Sequence, residues 1–197
     1  MKNPVIDLID RYDPNLPLAE ASTCPASWYI DPRILELEQR TTFARSWQYA
    51  CRLDQVREAA QYVTFELAGE PLMVVRGNDG VLRGFFNVCR HHAAAVMTQP
   101  AGCVKRLQCP YHGWTYTLEG ALKAAPAFED VRNFDPAEHG LVPVATAAWE
   151  NWVFVRLSGD GPSVEDFLGA DLVGQVQALG LSKLHWMERR HYLFDCN

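Results

Sequence analysis

Hydrophobic and polar residues alternate one for one from residue 61 onward, with Val63, Phe65 and Leu67 interleaved with Tyr62, Thr64 and Glu66. That period of two predicts a half-buried strand. Leu72-Met73-Val74-Val75 is a short unbroken apolar run and predicts a second strand. Asn78-Asp79-Gly80 is a turn signal that sends the chain back through Val81-Leu82 and Phe85-Phe86. Residues 104–108 read as another strand, and Thr115-Tyr116-Thr117 and Leu122 flank a second turn at Glu119-Gly120. Residues 123–147, with Pro126, Pro136 and Pro143, read as an excursion, and residues 152–157 close the sheet. The expected class is mainly β, an antiparallel sandwich of small sheets.

The two ends follow other periods. Residues 1–27 hold Pro4, Pro14, Pro17 and Pro25 and predict an irregular arm lying on the body. Asp31-Pro32 opens a helix, with aspartate as N-cap and proline at the first helical position. Ile34, Leu37, Thr41, Ala44 and Trp47 or Gln48 follow at three- and four-residue steps and extend that helix. Near the other end, Ser163 with Asp166 three residues later predicts a helix start. Leu172, Val176 and Leu179 continue its apolar face, and Gly180 suits its stop. Trp186, Glu188, Arg190, Tyr192 and Phe194 then alternate with their neighbours and predict a strand. The expected division is 1–54, arm and helix; 55–158, the β domain; 159–197, a helix and the start of a further domain.

The chemistry gathers where two of these strands end. Cys89-Arg90-His91 is a C-x-H pair, Cys109-Pro110-Tyr111-His112 is a C-x-x-H pair, and 17 residues separate them. In an extended loop, Cys89 and His91 would face one side while Arg90 faces the other. Pro110 and Gly113 suit a tight second loop. Two chemistries fit two thiols and two imidazoles. One tetrahedral zinc ion would take all four. A [2Fe–2S] cluster would take the thiols on one iron and the imidazoles on the other.

Composition narrows the setting. The net charge of −6 with no basic block argues against nucleic acid. No apolar run approaches the roughly 20 residues that span a membrane, and no long apolar stretch follows Met1, so a cytoplasmic protein is expected. Cys24, Cys51, Cys103 and Cys196 have no regular spacing and read as ordinary thiols. His185 and His191, with Glu188 between them, would lie about 20 Å apart on a strand rising roughly 3.3 Å per residue. That excludes one shared ion, and His139 reads as an exposed loop residue.

The flanks of the two pairs, Phe85-Phe86-Asn87-Val88 before the first and Gly113-Trp114-Thr115-Tyr116 after the second, resemble a Rieske protein. The resemblance assigns Cys89, His91, Cys109 and His112 to a [2Fe–2S] cluster. Cys89 and Cys109 would hold the iron that stays ferric, and His91 and His112 the reducible one. Two histidines in place of two cysteines raise the potential. The respiratory type carries a disulfide at positions that are Ala94 and Tyr111 here, so the chain resembles the oxygenases and their ferredoxins instead. Trp114 is expected to pack beside the cluster, and Arg90 to lie at the surface. His92, where many oxygenases read Arg, is expected to turn its side chain to the other face.

The resemblance extends over the whole chain to the N-terminal part of a Rieske non-haem iron oxygenase α subunit, with the aromatics Trp28-Tyr29, Phe43 and Trp47-Gln48-Tyr49 in the lead-in. Residues 190–197 resemble the first strand of that family's catalytic domain. It implies a fragment or shortened chain, with no catalytic residue of its own. The mononuclear Fe(II) is expected only in a catalytic domain that this sequence does not include. The implied function is electron transfer from a reductase or ferredoxin to that iron, for hydroxylation or demethylation. The exit would run through His112 to a neighbouring α subunit of a homotrimer. The His91-His92-Ala93 variant resembles choline-monooxygenase-like members. A free-standing Rieske ferredoxin carrier and a zinc-stabilised interaction module are the alternatives.

Overall fold

The computed structural model describes residues 5–188 and 190–195. The larger of two antiparallel sheets has seven strands in the spatial order β1 (Gln48–Arg52), β10 (Trp152–Arg156), β9 (Pro143–Trp149), β4 (Leu82–Phe86), β3 (Glu70–Arg76), β2 (Gln61–Leu67) and β5 (Ala101–Cys103). The smaller sheet holds β6 (Leu107–Gln108), β7 (Thr115–Tyr116) and β8 (Leu122–Ala124). The fold is mainly antiparallel β with short helices at both ends, as its patterning predicts.

The apolar run in β3 is explained by cover on both faces. Met73 and Val75 enter one core with Phe85, Cys89, Cys109, Trp114 and Tyr116. Leu72 and Val74 point the other way, into a core with Val63, Val153 and Val155. The ligand loops therefore stand on the first of these cores. The β3–β4 turn is held by Asp79, whose carboxylate accepts from the Val81 N–H at 3.0 Å and from the Arg83 guanidinium at 2.7 Å.

Several expectations are corrected. The helix that begins at Pro32, α1 (Pro32–Glu38), changes to a π-helical turn over Gln39–Phe43 and stops before Trp47. Gln48 opens β1 because its backbone pairs with Val155 of β10. This strand lies N-terminal to the expected boundary at residue 55. Residues 104–106 are not strand; β5 ends at Cys103 and β6 begins at Leu107. The excursion over 123–147 contains the start of β9, which pairs with β10 on one side and β4 on the other. Strand β10 is consequently interior rather than closing. The arm includes single helical turns at Ile6–Ile9 and Ser27–Ile30, joined by the Trp28 Nε1–H donating to the Leu8 carbonyl at 3.0 Å.

The tail starts as expected, with Ser163 Oγ accepting from the Asp166 N–H at 3.1 Å. Gly169, at φ +81°, splits it into α2 (Val164–Leu168) and α3 (Ala170–Leu179). The packed face carries Val164, Leu168, Val173 and Val176 against Trp47 and Trp149, while Leu172 and Leu179 are exposed. Arg156 is buried; its guanidinium donates to the Ser158 and Pro162 carbonyls and lies 4.6 Å over the Trp47 ring. No strand forms among the described residues of 184–195. Cys196 lies outside the described residues. Among the described residues no helix is long and apolar enough to cross a membrane.

Candidate metal centre

Two loops of one design carry the four predicted ligands. In the first, the Cys89 N–H donates to the Ala94 carbonyl at 2.8 Å and the Ala93 N–H to the Cys89 carbonyl at 3.0 Å. In the second, the Cys109 N–H donates to the Trp114 carbonyl at 2.8 Å and the Gly113 N–H to the Cys109 carbonyl at 3.0 Å. The fourth residue after each cysteine is left-handed, Ala93 at φ +58° and Gly113 at φ +77°. Each loop is thus a closed turn rather than an extended segment, and the strand-like alternation expected for Cys89 and His91 does not apply. Side chains at the second and third positions both point toward the opposite loop.

That geometry corrects the placement of His92. Its ring lies 3.9 Å from that of His91 and 5.4 Å from that of His112, on the same side as both. Tyr111, at the second position of the other loop, stacks on His112 at 3.9 Å and is 65% exposed.

The four predicted ligands are brought to one place and graded by depth. Cys89 and Cys109 are buried, His91 is half-buried and His112 is exposed. Trp114, 1% exposed, stacks on His91 with ring centroids 4.8 Å apart and planes 3° from parallel. Phe128 meets both rings edge-on. Within this aromatic wall, His91 Nδ1 and Trp114 Nε1 are buried without a hydrogen-bond partner. A buried imidazole nitrogen with no protein partner calls for a ligand. His139 is not a free loop residue: Nδ1 sits 2.8 Å from the Asp135 carbonyl and its ring lies 4.6 Å from that of Phe134.

The electrostatics suit metal ligation. Burial, then the facing His92 and His112, holds His91 below the ordinary imidazole value, favouring the neutral form that binds metals. Burial, reinforced by the neighbouring Cys89, pushes the Cys109 thiol up. A bound cation reverses that, because a coordinating thiol is deprotonated outright. The Tyr116 hydroxyl accepts the Arg90 N–H at 2.9 Å and lies 3.3 Å from Cys89 Sγ. Burial and the contact with Cys89 push the phenol well above its ordinary value, so it keeps its proton to donate to the sulfur.

Spacing separates the two metal chemistries. A tetrahedral ion with metal–sulfur bonds of about 2.3 Å and metal–nitrogen bonds of about 2.0 Å holds its four ligand atoms within about 4 Å of one another. Among the described residues, His91, His92 and His112 have their candidate ligand atoms within 4.8 Å of one another, and neither thiol is in that group. Thiols set apart from imidazoles fit a two-iron group better than one zinc. His185, Glu188 and His191 lie outside the group. Cys24, Cys51 and Cys103 are free thiols, and burial raises Cys51 to about 12.

Sequence reasoning missed two supporting residues. One is Tyr116, which β7 brings to Cys89. The other is Asn87, buried, whose amide donates to the Met97 carbonyl at 2.8 Å and accepts the Met97 N–H at 2.9 Å, closing the segment after the first loop. Tyr116 had a readable signal: it is two residues beyond Trp114, on the same face of an extended segment.

Residues 46–135 match the Rieske [2Fe-2S] domain. The chain is 34% identical to choline monooxygenase of Arabidopsis thaliana, over 96% of this chain and 47% of the relative. It is 38% identical to the carnitine monooxygenase oxygenase subunit of Escherichia coli, over 76% of this chain and 40% of the relative. Among solved structures, the quaternary ammonium Rieske monooxygenase CntA superposes with a TM-score of 0.78 at 31% identity, covering 83% of this chain and 48% of that one. Naphthalene 1,2-dioxygenase from Rhodococcus gives 0.74 at 29% identity, covering 80% of this chain and 36% of that one. The chain spans about half the length, or less, of these relatives. With its thiols buried and His112 exposed, on a sheet shared with these oxygenases, the paired-loop site lies in a Rieske [2Fe–2S] domain, and the chain matches the N-terminal part of Rieske non-haem iron oxygenase α subunits.

Proposed function

We propose that Cys89, His91, Cys109 and His112 hold the [2Fe–2S] group, the two thiolates on one iron and the two imidazoles on the other. When bound, that group supplies one-electron redox chemistry. The observation that carries this reading is the depth gradient from buried thiols to exposed His112. The chain's own residues do the rest. Trp114 and Phe128 exclude water from His91, the Tyr116 hydroxyl stands 3.3 Å from the Cys89 sulfur, where it would donate to a thiolate, and His112 with Tyr111 forms the face open to a partner.

In the whole protein, this domain would receive electrons from a reductase or ferredoxin. The acceptor would be a mononuclear iron in a catalytic domain, in a neighbouring α subunit of a trimer. The relatives named for choline and carnitine support a quaternary ammonium compound as the substrate, oxidised by hydroxylation or demethylation in the cytoplasm. The arm and helix, the cluster domain and the tail are retained as three parts, with β1 counted in the second.

The deciding experiment is iron and acid-labile sulfide analysis of the 197-residue chain isolated without oxygen, together with substrate-dependent O₂ uptake. About two iron and two sulfide per chain, a red-brown colour and no O₂ uptake are expected. Iron in excess of sulfide, or O₂ uptake by this chain alone, would refute it. A colourless zinc protein would return the site to the interaction-module alternative.

A further inference from the structure

His92 has no place among the four proposed ligands, yet it stands third after Cys89, as His112 stands third after Cys109. Because both loops share one hydrogen-bonded frame, that register turns its imidazole toward the other two rings. The ligand nitrogens of His91, His92 and His112 all lie within 4.8 Å of one another, and neither thiol belongs to the group. His91 Nδ1 is buried with no hydrogen-bond partner. We propose that the cluster-free chain binds one divalent transition-metal ion on His91, His92 and His112.

Imidazole nitrogen suits nickel, copper and zinc. Metal–nitrogen bonds of about 2.0–2.1 Å set the nitrogens of a tetrahedral site about 3.3 Å apart. The nitrogens need to close by up to about 1.5 Å, and His92 and His112, both exposed, have open solvent on one side in which to turn. The ion keeps water in its remaining positions, since the site opens at the surface. His91 and His112 cannot serve this ion and the cluster together. The ion therefore competes with cluster assembly, and His92 sets how strongly. Only this competition rests on the proposed cluster ligation.

The test is calorimetric titration of Ni²⁺ into cluster-free and cluster-loaded chain, with near-ultraviolet absorbance recorded alongside. The cluster-free chain should bind one Ni²⁺ without a thiolate-to-nickel charge-transfer band, and the loaded chain should bind none. Substitution His92→Ala, at an exposed position where it opens no cavity, should weaken binding at least about tenfold, the lower end of what losing a supporting partner costs a metal site. Unchanged affinity in His92→Ala, a thiolate band, or binding undiminished by cluster loading would each overturn the proposal. A chain that takes up no iron and sulfide would sink the cluster reading separately, and the nickel titration of the cluster-free chain would still decide this one.

Discussion

The loop that follows β4 and the loop between β6 and β7 have the same pair of backbone hydrogen bonds, yet they are anchored differently. The second loop is held locally: Gly113 takes the left-handed position without strain, and β6 and β7 pair directly across it. The first loop places an alanine, Ala93, in the same conformation; beyond the Val88–Ala95 bridge and the Asn87–Met97 pair that close it, it is also tied down from outside. Tyr116 of β7 accepts its Arg90 N–H, and Trp114 of the second loop covers its His91. One loop is thus a template for the other. The histidines are also offset, second after Cys89 and third after Cys109, which leaves His92 and Tyr111 at the two remaining places around the site.

The largest expected effect treats the loops alike: Cys89→Ser or Cys109→Ser should abolish iron and sulfide uptake, read as loss of colour. Trp114→Ala should cost about 3–5 kcal/mol in denaturant unfolding, as for other buried tryptophans. It should also expose His91, so the damage made in the second loop appears in the first. Tyr116→Phe strands the Arg90 N–H and removes a donor to sulfur, at about 1–3 kcal/mol. It should lower the cluster's reduction potential, measured by redox titration; an unchanged potential would mean the hydroxyl does not donate to Cys89. Gly113→Ala should cost about 1–2 kcal/mol for the left-handed backbone alone, because a Cβ there meets atoms only at 3.7 Å. Ala93→Gly should be nearly neutral, relief of strain being offset by the greater freedom of the unfolded chain.

The smallest effect is a pH dependence confined to the cluster-free chain. The folded value of His91 lies below the ordinary 6.5. The unfolded chain therefore binds more protons as pH falls below that value, and stability drops with it. Urea midpoints should fall between pH 7.5 and 5.5, and His91→Gln should flatten the slope.

Local signals were legible where they act over a few residues. Asp31 does cap α1, accepting the Arg33 N–H at 3.0 Å, and the Asn78-Asp79-Gly80 turn and the Ser163 cap form as read. Strand β9 was not legible. Ala145, Ala147 and Ala148 give its pattern little contrast, and its place comes from pairing with β4 and β10. The opposite failure is the stretch from Trp186 to Phe194, which alternates cleanly and forms no strand among its described residues. Alternation marks a face to bury; a strand also needs a neighbour for its backbone.

The sequence by itself determined the candidate donor set, because two cysteines and two histidines at these spacings, within these flanks, leave few chemistries open. It also determined the antiparallel class, since turns and alternation act over a few residues. Only the tertiary structure decided how the donors are arranged. The thiols lie on the core beneath β3, His91 is half-buried and His112 lies at the surface, because sheet and loops meet at that depth. His92 was decided there as well: a closed turn, not an extended strand, sets its direction, and that turn depends on hydrogen bonds from Cys89 and Ala93 that residue types alone do not reveal.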